Sequence, residues 1–214
     1  MATQEDWTIV RDALVSLCEP LYRAADRSYD LADDHFIQHG MDEADHPGGR
    51  AHLARHHLRN ELKKEKELGG WHLGRPRPNG EVTLGHRQMK LRLLRPGPAK
   101  LYDPFPPPAC GRNRARISFY RNARLNLFGA AGSNLIGVWT FDPDLEEIAI
   151  RIVRPIRAWK FQEYGQVDID FLLPRQGPAL GTMEFVPTDE DMLLPGFGDT
   201  DEVEGEEDAD GASG

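Results

Sequence analysis

The chain has 214 residues with a formal net charge of −9, and 39% of its residues are hydrophobic, which is enough for one domain with a real core plus appendages. No apolar run approaches the roughly 20 residues needed to span a bilayer, which excludes a membrane-spanning role and a membrane partner, and the first residues lack the charged and apolar parts of a secretory signal. The only cysteines, Cys18 and Cys110, indicate free thiols in a reducing compartment, so we expect a cytoplasmic protein.

The first third of the chain has the pattern of amphipathic helices. Thr3 and Asp6 have the spacing of a capping box, and the apolar stripe that follows predicts a helix over about 4–27, which Pro20 should kink or split. Residues 28–46 are acidic and lack a clear apolar period, so an irregular segment or a short helix is expected. A second helix is predicted over about 47–68.

From residue 71 onward the apolar period changes from 3.6 to 2, which predicts strands. The clearest element is a hairpin of 135–141 and 146–153 around the turn 142–144. Further strands are predicted in four segments, which are 81–95, 115–121, 166–173 and 181–186. The proline-rich stretch 96–108 is expected to be a loop.

These elements predict an α+β fold. Residues 1–186 would form one domain, helical over 1–70 and β-rich over 71–186, with the N-terminal helices packed on one face of a mainly antiparallel sheet spanning about 81–186. Residues 187–214 are rich in glycine and acidic residues, and we expect a disordered acidic tail.

Charge is distributed unevenly along the chain. Residues 1–47 have a net charge of −8, residues 48–160 of +13, and residues 161–214 of −14. Because local fields decide which charged partners approach a protein, the basic middle indicates a polyanion as a partner.

One basic stripe lies on the second predicted helix. His52, His56, Arg59 and Lys63 fall on one side at helical spacing, opposite an apolar stripe. The pairs His52/His56 and His35/His39 have the spacing of two metal ligands, but flanking cations and the lack of a carboxylate on the stronger stripe argue against a metal. A solvated basic face and a phosphate-binding face both remain open.

A second basic region lies at 112–124. Guanidinium groups for phosphate and a tyrosine for base stacking are combined there. The candidate nucleic-acid-binding residues in this region are Arg112, Arg114, Arg116, Tyr120, Arg121 and Arg124.

The predicted C-terminal strands carry a carboxylate group that allows another reading. Asp168, Asp170 and Glu184 could hold Mg²⁺ for phosphodiester hydrolysis, although no lysine follows at the place typical of nucleases. Alternatively, Arg151 and Arg116 could simply pair with these carboxylates across the sheet.

Three functions therefore remain open. The favoured hypothesis is a protein that binds the phosphate backbone of nucleic acid, with the acidic tail competing for the same basic surface. The alternatives are a metal-dependent phosphodiesterase or nuclease-like hydrolase and a protein-interaction module without catalysis, so the sequence does not decide whether the protein is an enzyme.

Overall fold

The computed structural model describes residues 2–42, 44–46, 48–76, 81–98, 103, 105–112, 114–122, 133–142, 147–161 and 163–186. Its helices are α1 (Gln4–Val15), α2 (Cys18–Gln38), α3 (Gly49–Lys64), α4 (Arg114–Tyr120) and α5 (Gly177–Gly181). Its strands are β1 (His72–Leu73), β2 (Val82–His86), β3 (Met89–Leu94), β4 (Asn134–Asp142), β5 (Glu147–Pro155) and β6 (Val167–Leu172). The α+β class is thereby confirmed. Residues 143 and 144 of the predicted turn lie outside the described residues. The predicted tail 187–214 lies entirely outside them.

The first predicted helix is two helices. The capping box forms as expected, with the Thr3 side chain accepting from the Asp6 amide at 3.1 Å and the Asp6 carboxylate accepting from the Thr3 amide at 3.0 Å. The chain then breaks at residues 16–17, so that Pro20 falls in the first turn of α2, where its missing N–H does no harm.

Helix α2 also runs on to Gln38, so the first part of 28–46 continues this helix and is neither irregular nor a separate short helix. The buried side of this stretch consists mainly of small residues, Ala25, Ser28 and Ala32, followed by Phe36. Small side chains let α2 and α3 approach closely, but they give only a weak apolar signal in the sequence. The second predicted helix is confirmed as α3, with Ala54, Leu58 and Leu62 on its buried side.

The strands follow one another in the sheet in chain order, β1-β2-β3-β4-β5-β6. All neighbouring pairs are antiparallel except β3 and β4, which are parallel because the chain crosses over between them. The predicted hairpin is confirmed as β4 and β5, with Ile148, Ile150 and Ile152 buried on one face. The expectation of a mainly antiparallel sheet is thus also confirmed.

Two of the predicted strands are wrong. Residues 115–121 lie in helix α4 and directly after it. Ile117 and Tyr120 have the three-residue spacing of a helix, whereas Ile117 and Phe119 have the two-residue spacing of a strand, so the sequence fits both structures. Residues 181–186 follow the short helix α5, which begins at Gly177-Pro178 and buries Leu180. Proline in the first turn favours this helix start.

Both faces of the sheet are covered. Helices α1, α2, α3 and α5 share one core with β2, β3, β5 and β6. On the opposite face α4 and part of the proline-rich stretch cover a second cluster, which consists of Cys110, Tyr120, Ile136, Val138, Val153, Trp159 and Val167. The sequence predicts a helical cover for the first of these faces only. Within the described ranges no helix has both the length and the apolar character needed to cross a bilayer.

Candidate anion-binding site

The basic stripe predicted on α3 does not form one continuous surface. His52, His56 and Lys63 are exposed, but Arg59 is only 9% exposed. Its guanidinium is tucked under the loop that follows β1, where Nη2 donates to the carbonyl oxygen of Gly74 at 2.6 Å. The predicted stripe is therefore split into an N-terminal part and the isolated Lys63.

The N-terminal part is a hydrogen-bonded chain of basic side chains. Nη2 of Arg55 lies 2.6 Å from Nδ1 of His52, and Nε2 of His52 lies 3.3 Å from Nε2 of His56. A guanidinium can only donate, so Nδ1 of His52 accepts and the ring proton of His52 is on Nε2. His52 is consequently neutral in this arrangement and points a donor toward His56.

A further arginine, Arg95, extends from the sheet toward the N-terminus of α3. Arg95 follows β3 and is exposed, and its Nη1 lies so close to Gly48 that a Cβ on this glycine would be 3.1 Å away. Gly48 has a φ of +73° and precedes α3 as an N-cap that offers no side-chain hydrogen bond. The positive end of the α3 dipole therefore lies beside the Arg95 guanidinium, with no acidic residue in the first turn of the helix.

His52, Arg55 and Arg95 form what we call the cation cluster. Burial lowers the pKa of His52, and the nearby charges of Arg55, His56 and Arg95 lower it further. Burial likewise lowers the pKa of Arg55, with the charge of Arg95 as the second cause. Among the described residues no carboxylate pairs with Arg55 or Arg95, so these residues do not neutralise the two guanidinium charges.

An aromatic pocket adjoins the cation cluster. It has a volume of about 280 Å³ and is lined by Tyr29, Asp33, Arg50, Ala51 and Phe141. The rings of Tyr29 and Phe141 are stacked with centroids 5.7 Å apart and an interplanar angle of 28°. Phe141 is 40% exposed, and Asp33 pairs with Arg50 at 2.9 Å.

The pocket and the cluster lie side by side. Burial raises the pKa of the Tyr29 hydroxyl, while a backbone hydrogen bond with Phe141 and the charge of Arg95 act in the opposite direction. The charge of Arg95 therefore acts on Tyr29 of the pocket and on His52. Ala51 of the pocket is also the chain neighbour of His52.

The arginine-rich region 112–124 lies elsewhere. Arg112, Arg114, Arg116 and Arg121 are exposed on α4 and its flanks, on the sheet face opposite to α3, and Arg124 lies outside the described residues. Tyr120 is 1% exposed and donates its hydroxyl hydrogen to the carbonyl oxygen of Pro108 at 2.7 Å. It packs edge-on against Trp159 and offers no face to a base.

A larger cleft of about 710 Å³ separates α4 from β1, β2 and β3. Its lining includes Arg75 and Lys90 as well as Glu81, which pairs with the buried Arg92 at 3.0 Å. Basic and acidic groups are thus mixed in this cleft, in contrast to the cation cluster. The two basic regions predicted from the sequence do not meet.

The predicted acidic trio does not converge. Asp168 is 8% exposed and bound by Arg154, whose Nε and Nη2 each donate to one of its carboxylate oxygens at 2.8 Å. Asp170 is bound in the same two-pronged way by Arg151, at 2.7 and 2.6 Å. Glu184 is exposed on the segment after α5, not on a strand.

The described part of the chain contains no group of three or more His, Cys, Asp or Glu side chains able to hold a metal ion. The Mg²⁺ site of the hydrolase hypothesis is therefore not found among these residues. The alternative expectation, that Arg151 pairs with Asp170, is confirmed. His35 and His39 lie with ring centroids 4.4 Å apart, without a third ligand.

No protein-family model, curated protein or solved structure matches this chain. The candidate site is therefore identified from the positions and charges of its side chains. Sequence reasoning found His52 and His56 but missed Arg95, Tyr29 and Phe141. Arg95 follows β3, Tyr29 lies in α2 and Phe141 lies in β4, and no local spacing in the sequence relates them to α3.

Proposed function

We propose that this protein binds nucleic acid through the phosphate backbone, at the cation cluster of His52, Arg55 and Arg95. The observation that carries the proposal is two guanidinium groups, Arg55 beside His52 and Arg95 beside the start of α3, for which the described residues supply no carboxylate partner. Mutual repulsion of Arg55 and Arg95 is unfavourable in the free protein and would be relieved by a bound phosphate. An anion would also meet the N-terminus of α3.

The roles of the three side chains differ. Arg95 and Arg55 present guanidinium forks, which match two phosphate oxygens at once. His52 adds a hydrogen-bond donor at Nε2, which in the free protein points toward His56. We expect only the phosphates to be contacted at this cluster, so its binding should be independent of sequence.

The test is a salt titration of full-length protein with fluorescently labelled single-stranded and duplex DNA and RNA. Loss of one phosphate contact lowers the slope of log K against log salt concentration by about 0.7 on single strands and about 0.9 on duplex. We expect this drop in Arg95→Gln and in Arg55→Gln. Arg157→Gln is the matched control. Arg157 is exposed in the loop after β5, so this substitution removes the same charge from another part of the surface.

Two results would contradict the proposal. One is the absence of binding at low salt. The other is an equal loss of slope in Arg157→Gln and Arg95→Gln, which would indicate attraction by overall charge. In the first case, retention of a specific protein partner after nuclease treatment would instead favour a protein-interaction module.

The acidic C-terminal residues are part of the same proposal. Residues 187–214 contain 11 acidic and no basic residues, and they would compete with nucleic acid for the cation cluster. Replacing Glu204, Glu206 and Glu207 by Gln in the full chain should raise the affinity at low salt and have less effect at high salt. Unchanged affinity at low salt would speak against this competition.

A further inference from the structure

We infer that the aromatic pocket beside the cation cluster takes one unstacked base of a single-stranded nucleic acid, while the cluster holds the adjoining phosphate. This inference rests on the proposed function and makes it more specific. It assigns the ligand class as single-stranded nucleic acid, and it gives roles to Tyr29 and Phe141.

The pocket has the size and walls for a single planar ring system. Its volume of about 280 Å³ is just below the range of about 300–1,000 Å³ that is usual for small-molecule pockets. Phe141 is 40% exposed on β4, so part of its ring can be reached from solvent. Aromatic side chains of this kind stack on bases without regard to sequence, because every base has a π-face.

The pocket has its own polar groups. Asp33 and Arg50 lie at its wall as an ion pair, so both an acceptor and a donor are within the pocket for the edge of a base. Arg50 is also held in place by Phe36, whose ring centroid lies 5.3 Å from the guanidinium carbon. A fixed guanidinium loses little conformational freedom when a ligand arrives.

The positive charge of the cation cluster indicates which class of aromatic ligand the pocket binds. A neutral aromatic compound would use the pocket but not the cation cluster, whereas a nucleotide unit uses both. Base and phosphate are linked through one sugar, and the pocket residue Ala51 is followed in the chain by the cluster residue His52. Charge complementarity and adjacency therefore point to a nucleic acid.

The geometry also predicts discrimination against duplexes. Bases of a duplex are paired and stacked inside the helix, so none can enter the pocket without unpairing. The cation cluster can contact the phosphates of either form. Duplex should therefore bind through the cluster alone, and more weakly than a single strand of equal length.

The experiment compares three labelled probes of equal length at one low salt concentration, with the full-length protein. These are a single-stranded oligonucleotide, its duplex and an abasic single strand that keeps the phosphates but has no bases. Stacking is worth about 1–3 kcal/mol per base, so Phe141→Leu should weaken binding of the normal single strand about 5- to 150-fold. Binding of the duplex and of the abasic strand should stay within twofold.

Matched variants separate this inference from the proposed function. Arg95→Gln should weaken binding of all three probes, because each presents phosphates. Phe161→Leu removes a 64% exposed ring elsewhere and should change nothing. Phe141→Tyr keeps a ring and should bind like the original protein, so it provides the comparison if Phe141→Leu folds poorly.

The outcomes are distinguishable. If the protein binds all three probes equally, or if Phe141→Leu weakens the abasic and normal strands alike, the pocket does not take a base and only phosphate binding stands. If none of the probes binds, the proposed function and this inference both fail. A Phe141→Tyr variant as weak as Phe141→Leu would also overturn the inference, since stacking would then not be the cause.

Discussion

Removal of the Asp168 carboxylate should destabilise the fold strongly, because it leaves the guanidinium of Arg154 without its main partner. Arg154 is 7% exposed and donates two hydrogen bonds to Asp168. Its other acidic partner is Asp6 of α1, at 3.2 Å. Burial disfavours the charge of Arg154, but the hydrogen bonds and charges of Asp168 and Asp6 together outweigh burial and raise the arginine's pKa.

Breaking a buried ion pair by removing one partner costs about 3–5 kcal/mol. Because Asp6 retains part of the compensation, we expect about 3 kcal/mol for Asp168→Asn. In a protein of this size that corresponds to a decrease in Tm of about 6–12 °C. The free energy of unfolding is measured by urea denaturation, with the slope m compared to confirm that the unfolded state is unchanged.

Two further variants test the physical reason. Asp170→Asn breaks a similar two-pronged pair, but its partner Arg151 keeps Asp103 at 2.8 Å and the pair is more exposed, so the loss should be about 1 kcal/mol or less. The double variant Arg154→Met with Asp168→Leu removes both buried charges and leaves the carboxylate of Asp6, which is more exposed, with its hydrogen bond from the Thr3 amide, so it should be more stable than Asp168→Asn. If Asp168→Asn loses less than 1 kcal/mol, or if the double variant is the less stable one, the reasoning is refuted.

Three other predictions follow from local geometry. Cys18 is buried, which raises the pKa of its thiol to about 11, so it should react with a thiol reagent such as Ellman's only after unfolding. The pKa of His52 lies below its ordinary value, and Arg55→Gln removes one cause, so the midpoint followed by NMR should move upward; a midpoint that stays or falls would contradict the contact. Gly69 has a φ of +60° and a Cβ there would collide with the turn between α1 and α2, so Gly69→Ala should cost about 2 kcal/mol or more in urea denaturation. Gly40→Ala, at a φ of +58° in open space, should cost only the backbone strain of about 1–2 kcal/mol, and equal losses in both variants would argue against the collision.

Much of the fold follows from periodicity, and its errors have physical causes. The β4–β5 hairpin was predictable because isoleucines alternate over Ile148, Ile150 and Ile152. Helix α4 was missed because its few apolar residues satisfy both periods. The extension of α2 was missed because alanine and serine give too little hydrophobic contrast.

The candidate site was predictable only where its residues are neighbours in the chain. His52 and Arg55 are one turn apart on a helix, so their proximity follows from the sequence. The approach of Arg95 depends on the register of the β2–β3 hairpin and on the packing of α3, which are properties of the whole fold. The burial of Arg59 is equally invisible to a helical wheel, since it depends on the loop at Gly74.

The position of β6 gives its aspartates a consequence for association. Among the described residues this strand is the last in the order of the sheet, and a strand border without a neighbour offers backbone groups to which a strand of another molecule can add. Leu172 is 58% exposed on this border. An incoming strand would have to desolvate the hydrogen-bonded carboxylate of Asp170 two residues away. We therefore expect Asp170 to disfavour edge-to-edge association of separate copies of the chain.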